Sequence, residues 1–284
     1  MPSAQPSDSP DYVIAGHVAC DLVDGEVRPG GTVLYSGAMA ANLGRRVGIV
    51  TAGPVDLSWS PSLAAMLLVS IASHEATTFA IESGASRPLR LLRRAQGIGL
   101  HDIPWSWRNA QLLHLAPIAG EIPAMLPTAL QARKTVATPQ GWLRRVLSDG
   151  TVVPAPEQLE ELPLETLAAL VVSSEDVAGR DDLVRRAAAR VPAVVLTRGS
   201  QGCTLFVGGQ GMQIDAFDAR AVDTIGAGDV FAAAFFVRMD ETGDPVHSAR
   251  FATCAASLSV EGRGLGSVPA RERIEARMRD VCRP

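Results

Sequence analysis

Apolar residues come in short, regularly spaced runs along this chain, and the punctuation between them predicts the elements. Tyr12 to Ala15 is an apolar run closed by Gly16, which predicts a first strand. Leu22 to Val27, interrupted by Asp24 and Glu26, reads as a half-exposed extended piece broken by Gly30-Gly31. Ser36 to Leu43 is a small-residue helix ended by Gly44, and Val47 to Thr51 is the next strand. Further strand-like runs fall at Gln111–Leu115, Thr135–Thr138, Leu170–Ser173, Val194–Thr197 and Thr204–Val207, among helical stretches such as Arg180–Arg190. The last third turns helical, over Gly228–Met239, Pro245–Val260 and Ala270–Val281. Alternation of strands and helices predicts an α/β fold with a doubly wound, mostly parallel sheet. Two segments break the rhythm: Thr77–Glu82 and Leu89–Arg94, joined by Ser83–Pro88, read as a β-hairpin outside any βαβ unit.

Composition narrows the classes. With 284 residues, 47% of them hydrophobic, the chain has ample core material, and no apolar window approaches the length of a membrane span. Residues 1–10 are polar and Pro/Ser-rich without a basic or apolar leader, so they read as a disordered tail, and a cytoplasmic protein is expected. Cys20, Cys203, Cys254 and Cys282 are scattered, consistent with free thiols, and the five histidines show no zinc spacing and no triad partners. A net charge of −4 without charge blocks supports neither nucleic acid nor a membrane as partner. Lys134 is the only lysine and has no glycine loop around it, which excludes a P-loop, and no protein-kinase elements are present. Any phosphate bound here must be met by amides, arginine and metal.

The most telling chemistry lies in Asp223-Thr224-Ile225-Gly226-Ala227-Gly228-Asp229, followed by the apolar run Val230–Phe236. Small residues at 226–228 permit a sharp turn with open N–H groups, and a buried helix behind them adds its positive dipole end. A carboxylate in the first turn of such a helix repels phosphate unless it takes a proton from an attacking hydroxyl. The combination points to phosphoryl transfer.

This run resembles the Asp-Thr-x-Gly-Ala-Gly-Asp signature of the ribokinase-like (PfkB) carbohydrate kinases. The resemblance implies a three-layer α/β/α domain over 11–284 with a small β lid, formed by segments about 22–29 and 77–94. It implies Asp229 as catalytic base and Gly226, Ala227 and Gly228 as the anion hole. The stretch from Gly30-Gly31 to Leu43-Gly44 resembles the family's N-terminal signature, with Tyr35 where many sugar kinases carry Asn. Gly16 to Asp21 matches its Gly-x-x-x-x-Asp, so Asp21, Gly30, Gly31 and Tyr35 become candidate substrate contacts, joined by Gln140 in the loop after a strand. Ser173-Ser174-Glu175-Asp176 stands where the family commonly has Asn-x-x-Glu, which makes Asp176 the candidate of a Mg²⁺ network and Glu175 its rival. Thr197-Arg198-Gly199-Ser200-Gln201-Gly202 resembles the nucleotide loop, giving Thr197, Gly199 and Gly202, with Thr224, as candidate ATP contacts.

The implied activity is an ATP-dependent kinase acting on a hydroxyl of a small polyhydroxylated substrate, a sugar or an inositol-like cyclitol. Mg²⁺ is the expected cofactor, a monovalent cation is an optional one, and a homodimer through the lid is the expected partner state. A nucleoside kinase of the same fold is one alternative. A non-catalytic sugar- or nucleotide-binding sensor is another, kept open by the departures at 35 and 173–176.

Overall fold

The computed structural model describes residues 9–23, 25–55, 64–81 and 89–281. Most of the expected tail, Asp24, the 83–88 connection and Cys282 lie outside the described residues. The chain begins with β1 (Tyr12–Ala15), β2 (Ala19–Val23), β3 (Glu26–Gly30), α1 (Thr32–Asn42), β4 (Val47–Ala52) and β5 (Leu67–Ile71). It continues with β6 (Thr77–Ile81), β7 (Leu89–Arg93), β8 (Leu112–Leu115), β9 (Lys134–Ala137), β10 (Arg144–Val146), β11 (Val152–Pro154) and β12 (Ala169–Ser173). The remainder is α2 (Asp181–Ala187), β13 (Ala193–Thr197), β14 (Cys203–Val207), β15 (Gln210–Ile214), α3 (Ala227–Thr242), α4 (Pro245–Ser259) and α5 (Arg271–Val281).

A nine-stranded sheet has the order β15-β14-β13-β12-β9-β8-β1-β4-β5, parallel from β13 to β5, with β14 and β15 antiparallel at one edge. The inner strands are covered on both faces, which is why they read as unbroken apolar runs. In β1, Tyr12 and Ile14 face the core beneath α1, α3 and α4, while Val13 and Ala15 face the opposite core with Leu113, Leu115 and Leu183. The fold is thus a three-layer α/β/α arrangement around a mostly parallel sheet. Strand order reverses between β1 and β8, so the crevice beyond their carboxyl ends is where this architecture places a ligand site.

A second, four-stranded sheet, β3-β2-β6-β7, forms the small lid. It begins at Ala19, three residues before the expected boundary, because β2 and β3 make an antiparallel hairpin and β2 also pairs in parallel with β6. Ala19 and Phe79 pack on Ile118 and Ala119 and so tie the lid to the loop after β8. Helix α1 starts at Thr32 rather than Ser36, because Gly31, at φ 96°, turns the chain straight out of β3 into the helix. Trp107 and Trp142 are buried, but Trp105 is 71% exposed and lies under the Arg108 guanidinium.

Candidate active site

The glycine turn is built as its composition demands. Gly226 caps α3 in the left-handed region (φ 77°), and any side chain there would overlap the Tyr35 ring. Ala227 N–H donates to Thr224 O (3.3 Å) and Val230 N–H to Gly226 O (2.9 Å). Among the described residues no acceptor meets the N–H groups of Gly228 and Asp229, and Gly228 is exposed with open space beside its Cα. Two open amides at the positive end of a 16-residue helix make an anion cradle.

Asp229 is held beside this cradle by α1. The Thr32 hydroxyl bonds its carboxylate, and Ser36 Oγ donates to its backbone carbonyl (2.8 Å). No cation lies within ion-pair distance of it among the described residues. Burial therefore dominates and pushes its pKa up from 3.8 to about 7; the Thr32 bond and Arg144 oppose this, while Asp176 and Asp21 add to it. Asp21, on β2, is likewise raised to about 6 by burial, against the pull of Arg144. Its carboxylate lies against Gly30, where only a glycine leaves room. Gly31 runs close to His17 O, and Gly16 to Ala116 O, so the loops after β1 and β8 and the entry to α1 meet at glycines. Tyr35 is buried, and its hydroxyl is held firmly neutral, chiefly by burial and then by the carboxylates of Asp223, Asp229 and Asp21. The structure therefore gathers Asp21, Gly30, Gly31, Tyr35, Gly226 and Asp229 at one place.

The remaining candidates lie further along the sheet. Asp176 and Ser173 cap each other reciprocally, Asp176 N–H to Ser173 Oγ at 3.0 Å and Ser173 N–H to Asp176 Oδ2 at 3.2 Å. Glu175 beside them is exposed. Ser174 N–H donates to Thr197 O, which sets the 173–176 turn next to the loop after β13. In that loop Gly199 and Gly202 have φ of 55° and 80°, Thr197 Oγ1 reaches Val172 O at 3.5 Å, and Arg198 is paired with Asp181. Four strand spacings, about 19 Å, separate β13 from β1, so this loop and the Asp21 side are two ends of one crevice. Thr224 is exposed just before the glycine turn, and Gln140 is half-buried in the helical turn after β9. Among the described residues no trio of His, Cys, Asp or Glu closes on a point as a metal cage would.

Three neighbours of the site carried no recognised role in the sequence. Thr32 follows the paired glycines directly, and that position was its only signal. Glu121 is buried and accepts the N–H groups of His17 (2.9 Å), Ile118 (3.1 Å) and Ala119 (2.7 Å), which locks the loop after β8. Arg144 feels the charges of Asp176, Asp229, Glu121 and Glu175. A chain with a single lysine implies an arginine at any phosphate site, but nothing flanking position 144 marks this one.

Residues 164–272 match the pfkB family carbohydrate kinase. The chain is 42% identical over 94 residues to the ribokinase of Bacillus subtilis, an alignment covering 32% of each protein. It is 30% identical over 173 residues to an ATP-dependent ribose-1-phosphate kinase of Halopiger xanaduensis, covering 60% of this chain and 55% of that one. These alignments thus span between a third and about half of the relatives' own length. Among solved structures, a pyrophosphate-dependent kinase in the ribokinase family, complexed with a pyrophosphate analog and myo-inositol, superposes with a TM-score of 0.77. That match has 22% identity over 93% of this chain and 99% of the other. Arabidopsis thaliana ribokinase complexed with ribose and ATP gives 0.73 at 21% identity, over 95% and 99%. Both likenesses concern the fold.

Proposed function

We propose that this chain, whose residues 164–272 match the pfkB family carbohydrate kinase, is a kinase of that ribokinase-like family and transfers the γ-phosphoryl group of ATP to a hydroxyl of a small sugar or cyclitol. One observation carries the reading: a carboxylate with a pKa near 7 and no paired cation sits beside two open amides at a helix N-terminus. A carboxylate at that pKa is matched to taking a proton at neutral pH. Asp229 accepts the proton of the acceptor hydroxyl. The oxygen then forms a bond to the γ-phosphorus as the bond to the bridging oxygen breaks, and that electron pair leaves on ADP. The open amides of Gly228 and Asp229 stabilise charge on the transferred group, whereas the Ala227 N–H expected in the anion hole is taken by Thr224 O.

Asp21 and the Gly30-Gly31 backbone hold the acceptor, since a carboxylate can take two hydroxyl hydrogen bonds. Gln140 contributes from the β9 end, and Tyr35 closes the pocket against Gly226. The 197–202 loop and Thr224 receive the nucleotide. The donor set fits Mg²⁺ carried by phosphates: among the described residues there is no all-protein cage, one Asp176 oxygen is taken by Ser173, and Glu175 stands exposed beside it. Asp176 and Glu175 would hold the ion, which when bound neutralises phosphate charge. The lid shields the reaction from water, and its edge strands expose Val27 and Leu92, where we place a homodimer contact. A monomeric mass at assay concentration would remove that contact.

The activity test is ADP release from Mg·ATP across a panel of sugars, cyclitols and nucleosides, with pyrophosphate as a second donor and Asp229→Asn alongside. Turnover with one acceptor, lost in the variant, is the expected result. Binding without turnover in any arm would favour a sensor, and turnover with nucleosides alone would favour a nucleoside kinase.

A further inference from the structure

We propose that Arg144 is a catalytic residue of this site, its guanidinium gripping the non-bridging oxygens of the phosphoryl group as it passes from donor to acceptor. The inference rests on the kinase reading above and adds to it a residue that belongs to none of the motifs.

Placement comes first. Arg144 is the first residue of β10, reached through the helical turn Gln140–Leu143 that follows β9. That turn is pinned to the loop after β8: Gly141 N–H donates to Pro117 O (2.7 Å), and a side chain at 141 would collide with the backbone of Pro117 and Ile118. The guanidinium reaches back over the same loop, with Nη1 3.5 Å from Ile118 O. Ile118 N–H in turn donates to the buried Glu121 carboxylate, so Arg144 stands on a backbone already fixed from below.

Partnering comes second. An arginine offers five N–H donors in a planar fork, and those inside a protein normally find a carboxylate. The part-buried Arg45, Arg198 and Arg271 do so here at 2.6 to 2.9 Å. Among the described residues Arg144 has no carboxylate within 4.0 Å, and the one hydrogen bond of its guanidinium is the long contact to Ile118 O. It is nevertheless sunk among acidic groups. Burial lowers its pKa, and Asp176, Asp229, Glu121 and Glu175 oppose that by their charge. Its own charge is felt by both Asp229 and Asp21.

Those neighbours define its position along the reaction path. Asp21 stands on the acceptor side, Asp176 and Glu175 on the donor side, and Asp229 at the transfer point. One cation coupled to all of them, and locked to none, lies where the phosphoryl group must cross. The fork suits phosphate oxygens, which present the bidentate geometry that the surrounding carboxylates do not offer it. Removing an arginine with this task costs about 10³-fold or more in other phosphoryl-transfer enzymes.

The test uses the full chain with Arg144→Ala, Arg144→Lys and Arg144→Gln, read in two independent ways. Binding of Mg²⁺ with inorganic pyrophosphate, followed by calorimetry, needs no knowledge of the acceptor. It should weaken at least tenfold in R144A and R144Q, and less in R144K. Turnover with the acceptor found in the panel should fall at least about a hundredfold in kcat, with acceptor KM within about threefold, and added guanidinium ion should restore part of it in R144A. A merely structural role gives no such rescue. R144A and R144Q with wild-type pyrophosphate affinity and wild-type kcat would overturn the proposal, and so would a loss of kcat that guanidinium leaves unchanged while R144K is fully active. If wild-type protein turns nothing over yet pyrophosphate binding is lost in R144A, the kinase reading fails and the phosphate-binding arginine stands. If R144A does not fold, the lysine and glutamine variants decide by the same readouts.

Discussion

Helix α3 carries two aspartates on nearly the same face, and they have opposite fates. Asp229 lies in its first turn and Asp240 eleven residues on, about three turns or about 16 Å further along. The helix dipole alone would favour charge on Asp229 and disfavour it on Asp240. The observed order is reversed. Burial and neighbouring carboxylates raise Asp229 to about 7. Burial also pushes Asp240 up, but hydrogen bonds from Lys134 (2.7 Å) and Gln111 (3.0 Å), with the charges of Lys134 and Arg45, outweigh it and hold Asp240 below the usual carboxylate range. Partners, not position on the helix, decide the matter. Asp240 is satisfied and serves the fold, whereas Asp229 is left wanting a proton, as a base must be.

The comparison is broken hardest at its unpaired end. Asp229→Asn should lower turnover by about 10³-fold, within the range for loss of a general base, while sugar and nucleotide binding persist. The same change should stabilise the protein at alkaline pH. A folded-state pKa above the ordinary 3.8 means that the native state binds the proton more tightly than the unfolded chain does. The cost of this carboxylate is therefore absent below about pH 4, grows as pH rises, and is complete above about pH 7. It amounts to at most about 4 kcal/mol. Thermal melting of D229N and wild type should diverge at pH 8 and converge at pH 4. Equal melting temperatures at pH 8 would mean that the carboxylate is not strained.

Asp240→Asn is the mirror experiment. Its side chain is 4% exposed between Arg45 and Lys134, so an amide leaves two cations facing no charge. A loss of about 3 kcal/mol in urea unfolding is expected at pH 7, with kcat within about twofold of wild type. Because the Asp240 pKa is depressed, its contribution is present above the unfolded value and lost as pH falls through the folded one, so the difference should narrow in acid. If D240N instead lost activity and kept its stability, the assignment of the two aspartates would be wrong.

How much of this was legible in the sequence depends on burial. Strands covered on both faces, such as β1, β12 and β13, announced themselves as apolar runs and were placed within a residue. The edge strand β15 was missed, because Gln210 to Ile214 is largely exposed and shows no run, and β5 was missed although Leu67 to Ile71 is an apolar run broken only by Ser70. The first turn of α1 was missed for the opposite reason: Thr32, Val33, Leu34 and Tyr35 are all buried, so no polar face betrays a helix. In the site, the glycine turn was readable because glycines leave a local mark. Asp21 and Asp176 were readable only through a resemblance. Arg144 was not readable at all: its place is set by the 139–143 turn folding onto residues 117–121, a contact between loops that no spacing records.

A milder perturbation titrates the comparison rather than breaking it. The acid limb of log(kcat/KM) should bend near pH 7 with a slope of one, a tenfold loss per pH unit, as Asp229 takes its proton in the free enzyme. Below about pH 6, protonation of Asp21 should steepen the fall. The two carboxylates act on each other, so these are values of the pair. A profile flat from pH 5 to 8 would exclude Asp229 as a titrating base.

The smallest expected effect separates ring from hydroxyl at Tyr35. The ring fills the space against Gly226 that any side chain at 226 would need, and it keeps the glycine turn in its left-handed conformation. The hydroxyl is among Asp21, Asp223 and Asp229, and burial with those charges holds it protonated. It can therefore donate a hydrogen bond to a carboxylate or to an acceptor hydroxyl, but it cannot act as a base. Tyr35→Phe keeps the ring, so kcat should stay within about threefold, while acceptor KM rises by about tenfold or less, the worth of one hydrogen bond. A collapse of kcat with KM unchanged would mean that the hydroxyl serves the unpaired Asp229 and not the acceptor, and the base would then have had a partner after all.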